Sequence, residues 1–196
     1  MRCNFSEQFG RSMIEMIGVL AIIGVLSVGG FAMYSKSIAK HKYNRAADQI
    51  STLLNKINVI YSNKSNYANI SASKIVGYGI VDSDMVITVN NKKAIKNIYG
   101  GRIYFYNGPT NDSFWITIDG LPSAACVALA SMDWGNNCLK VNASNLSTIG
   151  IMASGATANP GKTAVASRAN NSLPMSPATA ASVCTGKSNF VAFQFQ

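Results

Sequence analysis

The sequence predicts an α+β fold, in which one long N-terminal helix packs its second half on an antiparallel sheet. Three observations carry this expectation. Met16 to Ser35 runs twenty residues without a charge. Beyond it, apolar residues recur at three- and four-residue steps as far as Tyr61. After residue 63 the pattern changes to short alternating segments separated by Gly, Asn and Pro. A step near 3.6 marks one face of a helix, and a step of 2 marks a half-buried strand.

The uncharged block reads MIGVLAIIGVLSVGGFAMYS. As a helix, twenty residues span roughly 30 Å, the thickness of a hydrocarbon core. A buried core helix of this length would normally show a polar face. A secretory signal has an apolar region of only about 7–15 residues with a small-residue cleavage site after it. This run is longer, and no such site follows. Gly18, Gly24, Gly29 and Gly30 soften the helix, each costing up to about 1 kcal/mol against Ala in water. Membrane helices tolerate glycine better. Glu15 is the one acid at the edge of the span. A carboxylate there is expensive and marks a functional site that needs a cationic partner.

Two signals of orientation conflict. Arg2 and Arg11 precede the block, whereas Lys36, Lys40, Lys42 and Arg45 follow it. The positive-inside rule would put the C-terminal side in the cytoplasm. Cys3 precedes the block, and Cys126, Cys138 and Cys184 follow it. Three cysteines on the far side suit an oxidising compartment, and this orientation is the one adopted.

The helical pattern continues through Tyr43, Ala46, Ala47, Ile50, Leu53, Leu54, Ile57, Ile60 and Tyr61. Asn44, Arg45, Asp48, Ser51, Asn55 and Lys56 fall largely on other faces, so this half is one-sided. Asn63 to Asn66 reads as a stop. Residues 11–62 would then form one helix of roughly 75 Å, bare in its first half and embedded in a head in its second. His41, the only histidine, reads as a solvated helix residue between Lys40 and Lys42.

In the head, Met85–Val89 reads as a strand. Ile103–Tyr106 and Phe114–Ile118 read as a hairpin with Asn107-Gly108-Pro109 in the connection. Asp119 to Ser123 ends the second strand and opens a short helix from Ala124 to about Met132, since Pro122 and Ser123 suit a helix entry. Asn189–Phe195 alternates again and closes the sheet. Residues 141–182 are rich in Asn, Ser, Thr, Ala and Gly, a composition that favours surface loops.

Hydrophobic residues make up 48 % of the chain and charged residues only 13 %. The latter is about half the usual share for soluble domains. The net charge of +9 is spread thinly, with no adjacent basic pair beyond Lys92-Lys93. It suits anionic partners in general, but no nucleic-acid module is present. Gly155–Thr163 resembles a phosphate-binding loop, yet Ala156 stands where a glycine is required and no strand precedes it. Asp82 and Asp84 are too few for a calcium site. No catalytic constellation is present, and no cofactor or metal is expected. By counting alone, Cys138 could pair with Cys126 or Cys184, because sequence does not fix connectivity.

The stretch Gly10-Arg11-Ser12-Met13-Ile14-Glu15-Met16-Ile17, followed by VLAIIGVLSVGG, resembles the N-terminus of type IV prepilins and pseudopilins. The resemblance implies a leader over 1–10, cut by a prepilin peptidase between Gly10 and Arg11. It implies possible N-methylation of Arg11. It also implies that Glu15 pairs with the new α-amine on Arg11 of a neighbouring subunit, an attraction much stronger in a low-dielectric setting than in water. Two positions depart from the family pattern. The first mature residue is usually apolar and here is Arg11, and a proline common farther along is here Ala32. The order of a strand, Leu-Pro-Ser-Ala-Ala-Cys126, a helix and a late Cys184 is similar to the type IVb pilins, the group of the toxin-coregulated and bundle-forming pilins. That similarity implies a Cys126–Cys184 disulfide, worth about 4 kcal/mol in the chain-entropy model, and leaves Cys138 free.

The implied organisation is therefore a leader (1–10), a transmembrane and filament-core helix (11–35), its amphipathic continuation (36–62) and a sheet-based head (63–196). The implied function is a structural pilus subunit serving adhesion, aggregation, motility or DNA transfer. The alternatives are a minor pilin or type II secretion pseudopilin, and a pilus-associated DNA-binding or adhesive module. Implied partners are further copies of itself, the prepilin peptidase, the inner-membrane assembly machinery, the membrane before assembly, and a host surface or DNA. The precursor would sit in the inner membrane with its head in the periplasm, and the assembled pilus would be extracellular.

Overall fold

The structure is a computed structural model and describes residues 8–64, 66–145 and 166–196. The chain divides into two compact units, Met1–His41 and Lys42–Gln196. Helix α1, Gln8–Tyr61, is continuous over 54 residues, which at 1.5 Å per residue is about 80 Å. It begins three residues ahead of Arg11 rather than at it.

In the first unit every residue from 13 to 41 is exposed. Ser27 and Ser35 turn their hydroxyls back onto the carbonyls of Ile23 and Phe31. This satisfies each hydroxyl within the helix, as an apolar surrounding requires. The helix is long and apolar enough to cross a membrane.

The second unit is built on a seven-stranded sheet in the order β1-β2-β3-β4-β7-β5-β6. The strands are β1 (Val86–Val89), β2 (Lys92–Lys96), β3 (Arg102–Asn107), β4 (Phe114–Leu121), β5 (Cys138–Asn145), β6 (Ala166–Ser167) and β7 (Asn189–Phe195). Every neighbouring pair is antiparallel. Short helices α2 (Ala72–Gly77), α3 (Ser123–Ala130) and α4 (Pro177–Val183) complete the unit. Residues 42–61 of α1 bury Ala46, Ala47, Ile50, Leu53, Ile57 and Tyr61 in one core with Ile103, Ile116, Phe193, Leu129 and Ala180. The buried stripe matches the expected apolar face. Trp115, Phe190 and Ala192 alternate with those core residues and form a second buried cluster on the other sheet face.

Several boundaries differ from the sequence reading. β4 does not end at Asp119 but runs on to Leu121. A register shift between Ile118 and Leu121 absorbs Gly120, whose φ is +71°, a conformation glycine adopts without steric cost. The helix that follows spans Ser123–Ala130 rather than Ala124–Met132. β2 was not foreseen, because KKAIK reads as polar. It forms because Asn90 and Asn91 both take positive φ, 49° and 58°. That geometry makes the tight turn joining antiparallel neighbours.

The expectation of surface loops across 141–182 is corrected at both ends. Residues 141–145 belong to β5, where Val141, Asn142 and Ala143 are buried. This strand lies between β7 and β6, so its polar composition hides an interior position. Pro177–Val183 is helix α4, started by Ser176, whose hydroxyl accepts from Thr179 N at 3.1 Å. α2 opens in the same way on Ser71.

Candidate functional site

The first candidate is the exposed face of α1 ahead of Lys42. Large apolar side chains on it are open to solvent, among them Ile14, Ile17, Leu20, Ile23, Leu26 and Phe31. An uninterrupted apolar surface of this kind marks an interaction site. Glu15 lies on it, exposed. No other charge occurs between Arg11 and Lys36. Gly10 and Arg11 lie within the helical backbone of α1. Residues 1–7, including Cys3, lie outside the described residues, as does Gly155–Thr163, whose sequence resembles a phosphate-binding loop.

The second candidate is the cysteine framework. Cys126 on α3 is bonded to Cys184, which closes the C-terminus of α4, with 5.8 Å between the Cα atoms. This is the pairing implied by the family resemblance. Both residues are fully buried. The Ser123 hydroxyl donates to the Cys184 carbonyl, a second tie between the two helices.

Cys138 is free and buried at the start of β5. Its backbone partner across the ladder is Phe195, whereas Cys126 lies against the Phe190 carbonyl. Five residues along a strand separate those points by roughly 16 Å, so the thiol is out of reach of the disulfide. Burial pushes the Cys138 thiol up to about 12, against a smaller opposing pull from Arg168. Arg168 also pins the adjacent turn, donating from Nε to Cys138 O at 3.1 Å and from Nη2 to Gly135 O at 2.8 Å. Nothing in the sequence pattern marked Arg168, because its partners are backbone carbonyls about thirty residues away.

A third constellation is structural. Asp119 accepts from Arg102 N at 2.5 Å and from the Tyr104 hydroxyl at 3.0 Å. Its carbonyl accepts from Asn97 Nδ2 at 2.8 Å. These bonds clamp the β2–β3 turn to the β4 bulge. Burial, then the Asp119 charge, holds the Tyr104 and Tyr106 hydroxyls above their usual range. Lys56 lies 3.6 Å from the exposed Asp82 carboxylate. Among the described residues, no group of three potential metal ligands occurs.

Comparison with known proteins decides the family. A profile of the Bundlin family matches residues 36–190. The chain belongs to the bundlin family of type IV pilins. The major structural subunit of the bundle-forming pilus of Escherichia coli O111:H- is 25% identical over 185 residues, 92% of this chain and 90% of that protein. The toxin coregulated pilin of Vibrio cholerae serotype O1 is 28% identical over 128 residues, 63% of this chain and 57% of that protein. The crystal structure of TcpA, a type IV pilin from the Vibrio cholerae El Tor biotype, is similar in fold with a TM-score of 0.50. It shares 18% identity, and the match covers 80% of this chain and 99% of that one. The bundlin-family chain described here is a structural subunit of a type IV pilus and not an enzyme. Its mode of action is self-association.

Proposed function

We propose that the chain is a prepilin, cut by prepilin peptidase between Gly10 and Arg11 and polymerised through the first half of α1. One observation carries this reading. The helix exposes an apolar surface from Met13 onward, with Glu15 as the only charge between Arg11 and Lys36. A surface that fits lipid also fits identical helices, so one segment serves as membrane anchor before assembly and as filament core afterwards. Glu15 supplies the specificity. Apolar helices slide past one another at little cost, whereas a carboxylate in a low-dielectric setting selects the one register that brings it a cation. Cleavage creates that cation, the α-amine of Arg11 on the next copy, which is also the place for N-methylation.

The precursor sits in the inner membrane with its head in the periplasm, where Cys126 and Cys184 can be oxidised. Inner-membrane assembly machinery extracts it, and the product is an extracellular filament. The relative from Escherichia coli is named as a major subunit, which favours a major over a minor role. Adhesion to a host surface or to DNA would use the basic head. Salt-dependent DNA binding is the observation that would support a DNA partner.

Mass spectrometry of chains from sheared filaments tests the processing step. The expected chain begins at Arg11, with or without one methyl group. Assembled material that retains Met1 would refute it.

A further inference from the structure

Of the sixteen glycines in the chain, only Gly108 follows an asparagine. An Asn-Gly pair carries its own reaction. The Gly108 nitrogen can bond to the Asn107 side-chain carbonyl carbon and close a five-membered succinimide. The bond from that carbon to Nδ2 breaks, and the Gly108 proton leaves with the amide nitrogen as ammonia. Water then opens the ring at either carbonyl, giving aspartate or an isoaspartate whose main chain runs through the former side chain. Solvent water is the only co-reactant. Glycine favours the step in an unfolded chain, because no Cβ crowds the attacking nitrogen.

The fold holds both reactants. Asn107 is the last residue of β3 and pairs with Phe114 of β4. Its side chain is exposed, whereas Gly108 is buried. The glycine is required by packing, since a Cβ there would collide with the Ser113 hydroxyl. The Gly108 N–H, which must become the nucleophile, donates to Ser113 O at 2.7 Å. The Asn107 amide, which carries the leaving group, donates from Nδ2 to Asn111 Oδ1 at 2.6 Å. In an antiparallel strand ψ lies at about +135°, and ring closure requires rotation about the Asn107 Cα–C bond out of that geometry. Asn111 is itself fixed, with φ at 61°, its N–H donating to Gly108 O at 3.3 Å and its carbonyl accepting from Tyr67 N at 2.7 Å. Every bond on the reacting groups therefore belongs to the hairpin connection, and all are lost together when it opens.

We propose that Asn107 is the chain's site of spontaneous deamidation and that the closed β3–β4 hairpin suppresses it. The reaction proceeds from the opened hairpin, at a rate set by how often that end of the sheet opens. Where the ring opens to isoaspartate, the main chain gains one carbon and the Asn107–Phe114 register is lost. Phe114 is fully buried, so the product marks chains whose core has opened and keeps them from closing as before. The inference concerns the chain's own chemistry and does not depend on how it assembles.

The full-length chain in mild detergent, held at mildly alkaline pH and sampled over days, tests this by digestion and fragment-ion mass spectrometry. In guanidinium chloride Asn107 should convert at least about tenfold faster than in the native chain. Asn111→Gly keeps the left-handed backbone and removes the Oδ1 acceptor. The native chain carrying it should convert about threefold faster or more, the ratio that one lost hydrogen bond gives. Asn107→Gln, which would have to close a six-membered ring, should show no conversion at that position. Native tryptophan fluorescence and an intact disulfide report that each variant is folded. Equal rates in native and unfolded chains would overturn the proposal. So would faster conversion at any other asparagine of the unfolded chain, or an unchanged rate in Asn111→Gly.

Discussion

Removing the Cys126–Cys184 disulfide should destabilise the head strongly while leaving its fold recognisable. The bond spans 58 residues of sequence. In the chain-entropy model a closed loop of that length lowers the entropy of the unfolded chain enough to stabilise the folded one by about 4 kcal/mol. The double variant Cys126→Ala, Cys184→Ala keeps small apolar groups where both sulfurs are fully buried, so the loss should come mainly from the unfolded state. The full-length chain in mild detergent can be unfolded with urea and followed by tryptophan fluorescence. Trp115 is buried in the outer cluster, and Trp134 packs on Phe193 with 4.6 Å between ring centroids. With a denaturant slope of about 2 kcal/mol/M, the midpoint should fall by about 2 M. A fall below about 0.5 M would mean that the bond does not constrain the unfolded chain as this reasoning holds.

Other outcomes follow from particular side chains. Ile57→Ala, at 0% exposure in the core, should cost about 2–5 kcal/mol, whereas Val59→Ala, at 74% exposure, should stay within about 0.5 kcal/mol; urea midpoints compare them. Gly101→Ala would place its Cβ 2.2 Å from the Asp119 carbonyl oxygen. It should break the clamp between the β2–β3 turn and β4 and cost about 2 kcal/mol or more, whereas Gly77→Ala, which meets nothing within 4 Å, should not. Burial raises the Cys138 thiol from its ordinary value of 9.0 to about 12 in the fold. Because the folded form holds the proton more tightly, stability is complete below about pH 9 and declines as pH rises toward 12. Cys138→Ala should remove about 1 kcal/mol of the loss seen at pH 10, and an alkylating reagent should reach the native thiol only after unfolding.

The helix and the central strands were legible in the sequence because their apolar residues keep a clear period. Ala46, Ile50, Leu53, Ile57 and Tyr61 repeat at helical steps, and Phe114, Ile116 and Ile118 repeat at strand steps, so each pattern names its own buried face. β2 and β5 were not legible for different reasons. β2 carries three lysines on a half-exposed position, and its existence depends on the Asn90-Asn91 turn rather than on its own residues. β5 buries Val141, Asn142 and Ala143 between β7 and β6, so tertiary placement overrides a loop-like composition. Gly10, Arg11 and Glu15, proposed here for processing and assembly, stand out in the sequence because a charge beside an apolar span is costly and therefore conspicuous. Arg168 and Asp119 were hidden, because both act through backbone groups that sequence does not distinguish.

The measurement that bears most directly on the account is filament recovery from a Glu15→Gln chain. The substitution keeps shape and removes only the charge that would meet the Arg11 amine. The chain should still be found in the membrane fraction, cut at Gly10 and carrying its disulfide, while sheared filament falls to a small fraction of the wild-type amount. Wild-type filament yield from Glu15→Gln would contradict the claim that this carboxylate sets the register of assembly.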